Sequence, residues 1–145
     1  MSALTRRRSH NEHQETWRVF YDDVCIGTIG RRAGIPVGAD QSGWYCGFYP
    51  MSHRGLHDEG TAPHFYKARA DFAEAWLRLQ PLVTDADFIE HRYHRASTAW
   101  KYRMRDMGCR LPTQTAKGWS RCFCGAAIVT AGVPDHIRAV HIDLN

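Results

Sequence analysis

Near its C-terminus the chain carries Cys122-Phe123-Cys124-Gly125 and, after it, His136-Ile137-Arg138-Ala139-Val140-His141, a C-x-C-x11-H-x4-H arrangement. Zinc takes four soft or borderline ligands in a tetrahedron, and thiolate plus imidazole supply them. The pattern predicts that residues 118–145 form a small zinc-finger-like module with Cys122, Cys124, His136 and His141 as metal ligands. All four ligands are side chains, which leaves no open position for substrate, so the zinc is expected to be structural. The one-residue spacer is narrower than the usual two to four. A redox pair of thiols, or unliganded thiols with surface histidines, is the competing account.

The elements that must aim these side chains are short. Gly125 permits a sharp corner after the two cysteines, and Pro134 with Asp135 suits the first turn of a helix. Residues five apart on a regular helix differ by about 140°, so His136 and His141 converge only where the helix is distorted or tightened. Ile128, Val129, Val133, Ile137 and Val140 would form a small core over the metal. A segment this short buries too little surface to stand alone, so a metal is a sensible support. In a Cys2His2 finger the base-reading positions precede the first zinc histidine on its helix. Here the preceding stretch is A-A-I-V-T-A-G-V-P, with almost nothing able to read a base edge. The spacing resembles Cys2His2 proteins without their reading surface, which favours a structural or protein-docking role for this segment.

Other residues have side chains that could do chemistry. His53, His57, Asp58 and His64 share a loop region and could form a metal or acid–base cluster, although exposed loop histidines are the plainer account. Glu90, His91 and His94 lie on a helix, turned away from its apolar stripe. No catalytic triad or Cys–His pair is recognisable, and the glycines of Gly30 to Gly43 do not follow a phosphate-loop spacing. No catalytic residue and no small-molecule substrate is therefore indicated. The basic residues are more informative. From His91 to Arg121 eight basic side chains stand against one acid, Asp106, in a chain whose net charge is only +4. Arg92, Arg95 and Arg103 flank one side of the helix stripe, and Lys101 and Arg105 lie beyond the other. Such a field favours acidic partners, and these five are the candidate nucleic-acid-binding residues. A solvated helix face is the alternative, and a protein partner docking on the zinc tail is the alternative function.

The chain of 145 residues suits one domain with a small appendage, and an apolar fraction of 43% argues against disorder. No apolar run is long enough to span a bilayer, so no membrane association is expected, and a soluble cytoplasmic protein is the default. Five cysteines make no disulfide framework: Cys25 and Cys46 sit in strand-like runs, Cys109 follows a helix end, and a reducing compartment fits. Residues 1–15, with Arg6-Arg7-Arg8, read as a flexible arm. A β-hairpin is expected over Trp17 to Ile29 with its turn at Asp22-Asp23, and a third strand over Trp44 to Tyr49. Loops are expected between them and from Met51 to about Pro63. Spacings of three and four predict a helix from Phe65 to Leu79 lying across the three strands. A second, long helix runs from a Thr84 cap to Gly108, with the stripe Ile89, Tyr93, Ala96, Trp100, Met104 and Met107. The expected fold is α+β: a three-stranded antiparallel sheet packed by a helix, a second long helix, and the zinc module. Residues 16–112 would form the α+β domain.

The strings W-R-V-F-Y-x-D-V-x-I-G-T-I, W-Y-C-G-F-Y-P, G-T-A-x-x-F-x-x-A-R-x-D-F-x-x-A-W and T-A-W-K-Y-x-M resemble an uncharacterised bacterial protein family over roughly residues 17–112. That resemblance implies a domain boundary and no activity. Three strands followed by a packed helix are also similar in topology to AP2-type DNA-binding domains, and topology alone does not carry function.

Overall fold

The computed structural model describes residues 3–9 and 13–145. It divides into two compact units, Met1–Phe88 and Ile89–Asn145, and the division falls inside a helix.

The first unit is an antiparallel meander, apolar chiefly in its inner strands: β1 (Leu4–Arg8), β2 (Thr16–Tyr21), β3 (Val24–Arg31), β4 (Ser42–Cys46) and β5 (Asp58–Ala62), hydrogen-bonded in that order. The β2–β3 hairpin turns at Asp22, whose φ of 51° is a conformation that Asp tolerates better than most residues. The sheet thus has five strands, and the expected three-stranded sheet is corrected by one strand at each edge. Both were hidden for the same reason. An edge strand pairs on one side only and is often charged or polar, as L-T-R-R-R and D-E-G-T-A are. Leu4–Arg8, expected in the flexible arm, instead pairs with β2 along its whole length; positions 1, 2 and 10–12 of that arm lie outside the described residues.

Helix α1 (Phe65–Leu79) forms over the predicted span and lies on β3, β4 and β5. Its buried residues Ala68, Phe72, Ala75 and Trp76 meet Val19, Val24, Ile26, Ile29 and Cys46 of the sheet in one core. Gly27 shows how tightly the layers meet. A Cβ placed there would lie 2.0 Å from the Tyr45 carbonyl oxygen and 2.7 Å from the Phe72 ring, so a side chain has no room. Helix α2 (Asp85–Asp106) begins in this unit. Its Asp87 is buried, accepts the Thr84 backbone N–H at 2.8 Å and takes both arms of the Arg54 guanidinium, Nη2 at 2.8 Å. Arg54 thereby holds the Asp87 carboxyl down to about 2, against the opposing effect of burial.

The second unit contains the rest of α2, a hairpin of β6 (Trp119–Arg121) and β7 (Ala127–Val129), and helix α3 (Val133–Val140). Gly108, with φ 70°, follows the end of α2. Ala96, Trp100 and Met104 of the predicted stripe are buried here, packed with Cys122, Ile128 and Ile137. Ile89 and Met107, also assigned to that stripe, are instead exposed, and so are Val129 and Val140 of the expected core over the metal. Helix α2 therefore carries its central turns into the core of the cysteine–histidine segment.

Candidate metal centre

Each ligand position follows from its local fold. Between β6 and β7 the chain reverses within Cys122 to Ala126. The Cys122 N–H donates to the Ala126 carbonyl and the Gly125 N–H to the Cys122 carbonyl, both at 2.8 Å. Gly125 takes φ 93°, a left-handed corner that costs glycine little. The reversal brings both sulfurs toward α3. There, His136 lies within the helix, whereas His141 lies just past its end, with φ −123° and ψ 17°. The helix stops at Val140, and that break brings together two rings that a regular helix would hold apart. Their centroids are 5.0 Å apart.

Cys122, Cys124, His136 and His141 place one ligand atom each within 4.8 Å of the others, close enough to hold a metal ion. Cys122 Sγ is 3.3 Å from His141 Nε2, and Cys124 Sγ is 3.6 Å from His136 Nε2. With ordinary zinc–sulfur and zinc–nitrogen bonds, the edge of a tetrahedron between such ligands is about 3.6 Å. The donor set and the spacing both fit a four-coordinate ion.

The site is asymmetric. Cys122 and His141 are buried, Cys124 is exposed and His136 half-buried. Burial pushes the Cys122 thiol up, and the nearby Cys124 sulfur adds to the rise; the Cys124 backbone N–H and the Trp100 indole oppose it. Burial, followed by the charge of His136, pushes His141 down and favours the neutral imidazole that a metal requires. Trp100 is the residue that sequence reasoning missed. Its Nε1–H donates to Cys122 Sγ at 3.2 Å across 22 positions of sequence. Donors behind a ligand orient it and tune its charge. In the sequence Trp100 reads only as one more apolar position of a helix stripe.

The remaining candidates are not gathered into a second centre. His57 stacks on Tyr45, His53 meets Tyr49 edge-on, and His64 caps α1 by accepting the Lys67 N–H at 3.2 Å. Asp58 pairs with Arg78 at 2.7 Å, and His94 with Glu90 at 3.0 Å. Cys46 is buried and its thiol is pushed up to about 12, chiefly by desolvation, which makes it inert. On α2, Lys101, Arg103 and Arg105 are exposed while Arg92 and Arg95 are half-buried. Arg103 lies over the Phe123 ring at 5.6 Å and Arg105 over Tyr102 at 4.9 Å.

The first unit is an α+β layer pair, and the second is a ββα hairpin–helix module that brings a Cys2His2 cluster together against a longer helix. No family model matches the chain, and no curated protein or solved structure is significantly similar to it. Among the described residues, no helix is long and apolar enough to cross a membrane.

Proposed function

We propose that the protein is a zinc-stapled nucleic-acid-binding module, in which the zinc is structural and a basic helix makes the contact. The cluster of two thiols and two imidazoles supports zinc, because a four-coordinate sulfur–nitrogen set suits it and leaves no ligand position for a reactant. Cys122, Cys124, His136 and His141 would hold the ion, which would tie the β6–β7 hairpin to the end of α3. The observation that favours nucleic acid is the placement of charge. Nine basic and four acidic side chains fall in Ile89–Asn145, a net of +5, within a chain of net +4. Lys101, Arg103 and Arg105, together with Lys117, Arg121 and Arg138, are exposed there. The contact would neutralise phosphates without reading bases.

Elemental analysis of the purified protein tests the zinc: about one ion per chain, absent from Cys124→Ser, is expected, and folded metal-free protein would refute it. A binding assay tests the nucleic-acid contact. Affinity for DNA or RNA should fall steeply with salt and weaken in the Lys101→Ala/Arg103→Ala/Arg105→Ala variant. A second reading, a protein-docking module, is favoured by the exposed pair Trp119 and Val129, which face each other across β6 and β7. It calls for a partner captured by the wild type and not by Cys122→Ser, with no nucleic-acid binding.

A further inference from the structure

Helix α1 covers one face of the five-stranded sheet, through the row Trp17, Ile29, Trp44 and Gly60 and its neighbours. Because side chains alternate across a strand, the positions between them form the opposite face. The register places Arg7, Arg18, Thr28, Tyr45 and Glu59 side by side on that face, one from each strand. The next row is Thr16, Gly30, Gly43 and Thr61. Two adjacent glycines remove the side chains from the middle of this row, and a hollow of about 600 Å³ opens over them.

Two features of this face point to an anion. Arg7 and Arg18 are exposed and stand directly opposite each other on β1 and β2. Their guanidinium carbons lie 5.0 and 5.3 Å from the same Phe20 ring, and neither has an acidic partner among the described residues. Like charges directly opposed on a sheet are destabilising, so an anion between them would relieve a repulsion built into the register. Glu59, the acid in this row, lines the hollow on its β5 side, three strands and about 14 Å from Arg18, so the two arginines face the anion from the opposite edge. The second feature is Arg32, at the other side of the hollow. Its stem would lie 3.4 Å from a Cβ on Gly43, and its Nη1 donates to the Asp40 carbonyl at 2.9 Å, which fixes the charge at the rim. Thr61 donates to the Asp40 carboxylate at 2.8 Å and completes that corner.

We propose that this open face holds the phosphodiester backbone of a single nucleic-acid strand, with phosphates at Arg7–Arg18 and at Arg32 and the hollow between them. Cations at two separated points, hydroxyls of Thr16 and Thr28 between, and the half-buried Tyr45 ring match a repeating anion with a planar group in each repeat. An open sheet face also suits a strand better than a duplex groove, which needs a protruding element to enter it. This face shares no residue with the basic helix of the other unit.

The test is fluorescence anisotropy with a labelled oligothymidylate, on the full chain, at several salt concentrations. The Arg7→Ala/Arg18→Ala variant should bind about tenfold more weakly, with a salt slope shallower by roughly 0.7 for each phosphate it no longer neutralises. Its melting temperature should hold or rise, because a like-charge pair has been removed, and this distinguishes weaker binding from unfolding. The same weakening should appear when the two changes are added to the Lys101→Ala/Arg103→Ala/Arg105→Ala variant. Unchanged binding in both backgrounds would overturn the proposal while leaving the helix reading intact. Displacement of the oligonucleotide by inorganic phosphate or thymidine monophosphate at equal concentration would also overturn it, in favour of a free phosphorylated ligand. Weakening only in the helix variant likewise counts against the sheet face.

Discussion

The two units of this chain differ in how much apolar surface their cores gather. Among the described residues, the core of the first gathers twelve apolar residues, including Phe72, Trp76, Ile26 and Ile29. The core of the second gathers six, and one of those six is Cys122, a candidate metal ligand. A core of that size contributes little against the entropy of ordering its chain, so a metal would supply what apolar area does not. The contrast is that apolar area can hold the first unit, whereas the second places a candidate metal site where such area runs short.

The largest expected effect separates the units directly. Chelation, or Cys122→Ser, should abolish the order of residues 89–145 while the sheet unit stays folded, since structural zinc contributes on the order of 10 kcal/mol. Hydrogen exchange read separately over the two spans checks this, and joint unfolding would break the contrast. Next in size, Phe72→Ala should destabilise the sheet unit by about 3–5 kcal/mol, with zinc content unchanged. Denaturant unfolding combined with metal analysis reads both quantities. Trp100→Phe keeps the apolar body and removes the N–H bonded to Cys122. Metal affinity should fall roughly 10–100-fold while the apolar core persists; competition with a chromophoric chelator measures it. The smallest effect is pH-dependent. Asp87 is held at about 2 by Arg54, below the value of 3.8 of an ordinary aspartate. Its contribution is present in full above that ordinary value and disappears as the pH falls through about 2. Asp87→Asn should remove this acid dependence of the sheet unit's melting temperature and lower it at neutral pH.

How much of this was legible in the residues differs by element. The span of α1 was readable because one apolar face at spacings of three and four needs no knowledge of its partner. The clustering of Cys122, Cys124, His136 and His141 was readable because cysteine and histidine at short spacing are chemically rare choices. Strands β1 and β5 were not, because an edge strand of arginines, or of Asp, Glu, Gly and Thr, lacks the alternation that marks a half-buried strand. The partner of α2 was equally hidden. The stripe Ala96, Trp100, Met104 was plain, but an apolar stripe says only that something covers it. The exposure of Ile89 and Met107 at its ends was decided by where the short hairpin and α3 reach.

The sequence by itself determined the donor set: two thiols and two imidazoles at a spacing that a small corner and a short helix can gather. It also determined a concentration of positive charge after His91. Tertiary structure decided the rest. It ends α3 at Val140, so that His141 can turn toward His136, and it sets the Trp100 indole against Cys122 from 22 positions away. It also puts Arg7 opposite Arg18. Ligand chemistry is local and survives in a string of letters, whereas the distance between remote residues exists only once the chain has packed.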